Sequence, residues 1–155
     1  MKIVCVVVGG VKGPVAPAVE EFTIRADRYF RIEWIEVGAG VGRDASPSEV
    51  RRAEGDRILA RIPEGATLAA LTREGKGMTS RGLARWLDRA ALDGRDLAFA
   101  IGGAFGLDAK VLARARRRLS LSPMTLPHEI ARLVWAEQLY RAGTILRNEP
   151  YHKGS

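Results

Sequence analysis

The run Lys2-Ile-Val-Cys-Val-Val-Val8 restricts the choice of fold more than any other part of the chain. Its β-branched side chains follow one another without the polar alternation of a half-exposed strand. Such a run suits a strand buried on both faces of a largely parallel sheet. A sheet of that kind needs helices on both sides, and the sequence supplies them. Gly9-Gly-Val-Lys-Gly-Pro14 breaks the run, and residues 15–29 read as an amphipathic helix with Val15, Val19, Phe22 and Ala26 on one face. The turn lacks G-x-G-x-x-G spacing, and Pro14 disturbs the place where helix amides would hold phosphate.

Arg31–Val37 reads as a second strand, in which Trp34 falls outside the alternation of Ile32, Ile35 and Val37 with Glu33 and Glu36. Residues 38–45 form a glycine-rich loop expected to be mobile. Ser46-Pro-Ser-Glu49 is a capping box with proline at the first helical position. It opens a helix to about Arg61 that turns Val50, Ala53, Ile58 and Leu59 inward. Ala66–Leu71 is the third strand, and Thr72–Met78 reads as a loop. That loop is not a Walker phosphate loop, because the glycine needed five positions before Gly75 is Ala70. Thr79 can cap a helix to about Leu92 that buries Leu83, Trp86, Leu87 and Ala90. Asp93-Gly94 then turns the chain into a fourth strand, Leu97–Ile101. The alternation predicts an α/β sandwich with a mostly parallel sheet, in one domain spanning residues 1–155.

Beyond Ile101 the chain turns at Gly102-Gly-Ala-Phe-Gly106, enters a helix at Asp108 and re-emerges as Leu119-Ser-Leu-Ser-Pro-Met-Thr-Leu-Pro127. A last helix runs from about His128 to Leu146 and is followed by the tail Asn148-Glu-Pro-Tyr-His-Lys153. Both special loops follow strand-like segments, so both can line the crevice at the strands' carboxyl ends. The last helix is apolar round most of its circumference, which requires cover on two sides. The sheet can be one cover. A second copy of the chain is the economical choice for the other, with a central helix in a monomer as the alternative.

Of the net charge of +7, residues from Ala98 onward carry 9 Lys/Arg against 4 Asp/Glu. Positive charge beside the loops favours a polyanionic partner. The densest run, Arg114, Arg116, Arg117 and Arg118, reads equally as a solvated helix end. Cys5 is the one cysteine, and its place in an apolar strand makes it a packed thiol rather than a nucleophile. No apolar run approaches the ~18 residues of a membrane span. Met1-Lys2 leads straight into a strand, so neither a leader nor a membrane is expected, and the location expected is the cytoplasm.

One Cys and two His do not make a zinc site, no G-x-S-x-G elbow supports a serine nucleophile, and no dinucleotide fingerprint supports hydride transfer. What remains suits chemistry in which a donor already carries the activated group and the protein aligns the partners. Gly102-Gly103 fits either close backbone approach to a ligand or a tight turn. Ser122–Pro127 offers a stiffened loop whose amides and carbonyls can read a heterocycle's edge, packed by Leu121, Met124 and Leu126.

The segments IGGAFG, LSLSPMTLPHEIARL, EQLYRA and PYHK resemble the ribosomal RNA large subunit methyltransferase H family, of the SPOUT class. The likeness is dense over residues 98–153 and looser before. It implies a SPOUT α/β domain with a C-terminal trefoil knot, and an active site formed across a homodimer. The implied cofactor is S-adenosylmethionine, held by Leu71, Gly102 and the segment Leu121, Ser122, Pro123, Met124, Thr125, Leu126. Thr72 stands where the family often has an acidic residue. The implied reaction is N3 methylation of a pseudouridine in helix 69 of 23S ribosomal RNA, on the assembled ribosome and without a metal. His152 and Tyr151 would position the substrate or remove a proton, and Arg141 would stabilise charge. His128 reads as a helix-start hydrogen-bonder rather than a catalyst. Two other readings stay open: an α/β domain binding a small regulatory ligand, and a ribosome-binding module with an idle site.

Overall fold

A computed structural model describes residues 1–153, apart from the side chain of His152; Gly154 and Ser155 lie outside the described residues. Five parallel strands lie in the order β2-β1-β4-β3-β5. β1 (Lys2–Val8) and β4 (Leu97–Ile101) are central, and every residue of β4 is buried. The apolar run that opened the sequence therefore sits where a two-faced strand has to sit. The rest of the sheet is β2 (Arg31–Val37), β3 (Thr67–Gly77) and β5 (Arg117–Ser120).

On one face Ile3, Cys5, Val7 and Phe99 pack against α1 (Val15–Asp27), α3 (Ser80–Leu92) and α5 (His128–Leu146). On the other, Val4, Val6, Val8 and Ala98 meet α2 (Pro47–Leu59) and α4 (Ala109–Arg114) through Ile58 and Val111. The α/β sandwich holds. Burial pushes the Cys5 thiol up to about 12, so it stays protonated and inert, as a packed core residue should.

Local signals set the helix starts. Ser46 Oγ accepts from Glu49 N while a Glu49 carboxylate oxygen accepts from Ser46 N, completing the capping box. Thr79 Oγ1 accepts from Gly82 N, and Asp108 accepts from Lys110 N. α1 ends at Asp27, two residues short of expectation. The basic run is also placed differently: α4 stops at Arg114, and Arg117 and Arg118 lie on the edge strand β5. The guanidinium of Arg117 there sits 4.9 Å from the centre of the Trp86 ring.

Residues 72–77, read as a loop, instead continue β3. Leu71 and Lys76 both align with Leu119, so Thr72–Gly75 arch out of the ladder as a bulge. A Cβ on Gly75 would fall 2.6 Å from the Leu119 carbonyl carbon, and only glycine lets β5 lie so close. Tertiary pairing with a strand far along the chain overrides the local turn signal.

α5 is covered by the sheet and flanked by α1 and α3, which hide Arg132, Trp135, Ala136, Leu139, Ala142 and Gly143. Ile130, Leu133 and Val134 remain half-buried at its N-terminal half. Near its other end the turn that follows α1 approaches so closely that a Cβ on Gly143 would lie 2.3 Å from the Tyr29 ring. Gly143→Ala should therefore overpack the α1–α5 seam and destabilise the fold by about 1–3 kcal/mol in urea unfolding. Gly77→Ala, which meets open space, should leave the midpoint nearly unchanged.

Candidate active site

β4 sends the chain to the α2–α4 face, whereas its neighbours β1 and β3 send theirs to the α1–α3–α5 face. Chains that part in opposite directions leave crevices at the strand ends, one on each side of β4.

On the β3 side, register sets the geometry. Leu71 pairs with both Ile101 and Leu119, so β4, β3 and β5 reach the same level together. Gly102, Thr72 and Leu121 therefore leave the sheet side by side, which gathers the three expected cofactor segments. Leu71 is buried, while Leu121 and Leu126 are half-buried. Pro123, Met124 and Thr125 are exposed. Ser122 Oγ accepts from Met124 N at 3.0 Å, curling the loop. Arg73 Nη1 donates to Thr125 Oγ1 at 3.0 Å, tying the β3 bulge to it. A Cβ on Gly102 would lie 2.7 Å from the Gly106 carbonyl carbon, so the turn's own closure demands glycine there.

On the β1 side lies a cleft of about 430 Å³ between Val8, the 38–45 loop and the turn at Gly103–Phe105. His128 also lines it, which sequence reading had set at a helix start. The loop expected to be mobile is fastened to α2. Arg57 Nη1 donates to the Gly38 and Gly40 carbonyls, both at 2.8 Å, and Glu54 Oε1 accepts from Gly40 N at 2.9 Å. Glu54 is 3% exposed, and its Oε2 is buried with no hydrogen-bond partner among the described residues. Sequence reading passed over this residue, although the signal was present. Glu54 falls between Val50 and Ile58 on the inward stripe of α2, where a charge has no packing reason to be.

The expected catalytic groups lie elsewhere. A 3-10 turn at Pro150–His152 docks on α5, so the tail's backbone is folded rather than frayed. Tyr151 Oη donates to Glu137 Oε1 at 3.0 Å, and Arg141 reaches the same oxygen through Nη2 at 2.7 Å and Nε at 3.0 Å. The Arg141 guanidinium also lies 4.9 Å from the Tyr151 ring centre. Glu137 is thus the hub of the cluster, a role sequence reading missed. Burial, followed by the hydrogen bond to Glu137 and its charge, raises the Tyr151 phenol above its ordinary range. The hydrogen bond to Glu137 raises the Arg141 guanidinium likewise, keeping it charged. Tyr151 is accordingly a donor, not a base, near neutral pH. At roughly 1.5 Å per residue, Arg141 stands about 20 Å along α5 from His128, whereas Leu121 lies against the middle of α5, lining a small pocket with Val134, Trp135 and Gln138.

Strand ends collected round a crevice are where an open α/β sheet holds a ligand. The chain belongs to the SPOUT methyltransferase family: the model described as "Predicted SPOUT methyltransferase" matches residues 1–152. It is similar to "Ribosomal RNA large subunit methyltransferase H" of Gemmatimonas aurantiaca, at 47% identity over 99% of this chain and 100% of the relative. The relative of that name from Anaeromyxobacter sp. (strain K) is 45% identical, over 99% of this chain and 100% of its own. That of Burkholderia lata is 43% identical over 99% of both.

Arg57→Ala removes both clamps on the 38–45 carbonyls. We expect a loss of roughly 1–2 kcal/mol and faster amide exchange across residues 38–45, with exchange in α5 unchanged.

Proposed function

We propose that this protein uses S-adenosylmethionine to methylate N3 of a pseudouridine in helix 69 of 23S ribosomal RNA on the assembled ribosome, acting as a homodimer. The observation that carries this reading is the gathering of Leu71, Gly102 and Leu121 at the ends of β3, β4 and β5. In the proposed dimer, one copy's tail completes the site formed by the other copy's loops. The half-buried Ile130, Leu133 and Val134 on α5 offer such a second copy an apolar surface. In this reading residues 1–155 act as one domain, and the segment after β5 threads into a trefoil knot.

The strand-end crevice suits the cofactor. Apolar Leu71, Leu121 and Leu126 can flank an adenine, and the exposed turn Ser122–Thr125 offers backbone to its edge. The bound cofactor supplies a methyl group already activated on sulfur. The protein's share is alignment and charge. N3 must lose its proton, leaving charge on the flanking carbonyl oxygens. Arg141, permanently cationic, would face that charge. Tyr151 would donate a hydrogen bond, which leaves proton removal to His152, whose side chain lies outside the described residues. The excess of Lys and Arg after Ala98, with Arg117 and Arg118 on the sheet edge, suits a phosphate-rich partner.

Titration calorimetry with S-adenosylmethionine should give one site per chain, and ribosomal RNA from cells lacking the protein should lose the methylated-pseudouridine mass. An unchanged RNA mass would leave the regulatory or idle-module readings, and calorimetry separates them from methyl transfer. The shared site makes a second prediction. His152→Ala should impair turnover far more than cofactor affinity. Mixed in equal amounts with a variant that cannot bind cofactor, it should recover about a quarter of wild-type activity, because half of the dimers would carry one intact site. No recovery on mixing would mean that each chain works alone.

A further inference from the structure

The cleft on the β1 side of β4 is absorbed by none of the assignments above. Two of its walls continue candidate cofactor segments: Gly103 follows Gly102, and His128 closes the loop that contains Leu126. A ligand lodged there lies beside the donor. Glu54 forms its floor. A Cβ on Gly103 would stand 3.0 Å from Glu54 Oε2, so only glycine lets the turn lie this close to the carboxylate. The other oxygen is occupied by Gly40 N. A carboxylate oxygen buried without a partner is costly, and it favours any ligand that brings a hydrogen-bond donor to it. Phe105, 48% exposed at the cleft edge, provides a flat apolar face for a ring.

We propose that this cleft receives the base to be methylated, and that Glu54 Oε2 accepts a hydrogen bond from the ring N–H that distinguishes pseudouridine from uridine. This rests on the functional reading above. Uridine has one ring N–H, at N3, because its N1 bears the ribose. Pseudouridine is attached through carbon and keeps a second, at N1. When N3 is turned toward the methyl donor, N1–H points away from it and into the protein, where a buried ring needs an acceptor. Uridine in the same pose presents no donor and leaves Oε2 unpaired. A site built to bond an N–H rejects the analogue lacking it by as much as ~10⁴-fold, because the site's own polar group is left stranded. Glu54 is thus a specificity residue, separate from the groups that act on N3.

The test compares large ribosomal subunits carrying pseudouridine at the target with subunits from cells lacking the synthase that makes it, which carry uridine there. Wild-type protein should prefer pseudouridine strongly in kcat/KM. Glu54→Met keeps the volume and removes the acceptor. It should lower the preference by about 100-fold or more, mainly through loss on pseudouridine. Glu54→Gln keeps the oxygen that Gly40 N needs but turns an NH2 donor toward the N1–H, so it should lose the preference as Met does while still holding the 38–45 loop, which guards against a Met variant that folds poorly. S-adenosylmethionine affinity should stay within about twofold in both. Equal losses on the two substrates would make Glu54 a clamp for the 38–45 loop alone and overturn the proposal. A collapse of cofactor affinity with the preference intact would also overturn it, assigning the cleft to the donor's amino group. Wild-type protein that methylates neither substrate would instead defeat the functional reading itself.

Discussion

Strand β4 is bonded along both sides, to β1 and to β3, and buried on both faces, so the chain can leave it only at its end. It leaves toward α4, opposite to both neighbours. That divergence opens the sheet's carboxyl edge on either side of one five-residue strand. Everything that can meet a ligand is arranged around those openings. The glycine turn seals itself through Gly106 and Gly102, the β3 bulge leans over β5, and the 38–45 loop is tethered from α2. Close packing below holds these backbones in place without any reactive side chain to anchor them.

α5 couples the two ends of the molecule. It starts at the loop that follows β5 and finishes beside Tyr29, where glycine permits near contact with the turn that follows α1. Tyr151 and Arg141 share one oxygen of Glu137, midway along the helix, so the tail is docked on α5 itself. Arg132 fixes the near end, pairing with Glu36 at 2.7 Å and lying 4.6 Å from the Trp34 ring centre. Trp34, out of step with its strand's alternation, finds its reason there.

Features governed by near neighbours were legible in the sequence. Ser46, Thr79 and Asp108 each start a helix through a bond to a residue two or three positions on, and α5 has the bounds that its apolar pattern demanded. The Thr72–Gly77 segment was not legible, because its glycines serve a strand that arrives only at Arg117. Of the candidate site, the glycine and proline loops at the strand ends could be read directly, since few other residues make such bends. The docking of the tail on Glu137 could not, because it depends on how the chain folds back along α5 rather than on any spacing in the sequence. Glu54 was visible as a charge in an apolar stripe, a signal passed over because stripes are read for their apolar members.

The two outer strands are built against unwanted pairing. β5 is four residues long and carries Arg117 and Arg118, while β2 opens with Arg31 and bears Glu33 and Glu36. Open strand edges invite stray chains to add on and grow into fibrils. A short rim studded with cations on one side, and a rim of mixed charge on the other, make poor templates for that growth. Growth by edge-to-edge addition to the sheet is thereby disfavoured.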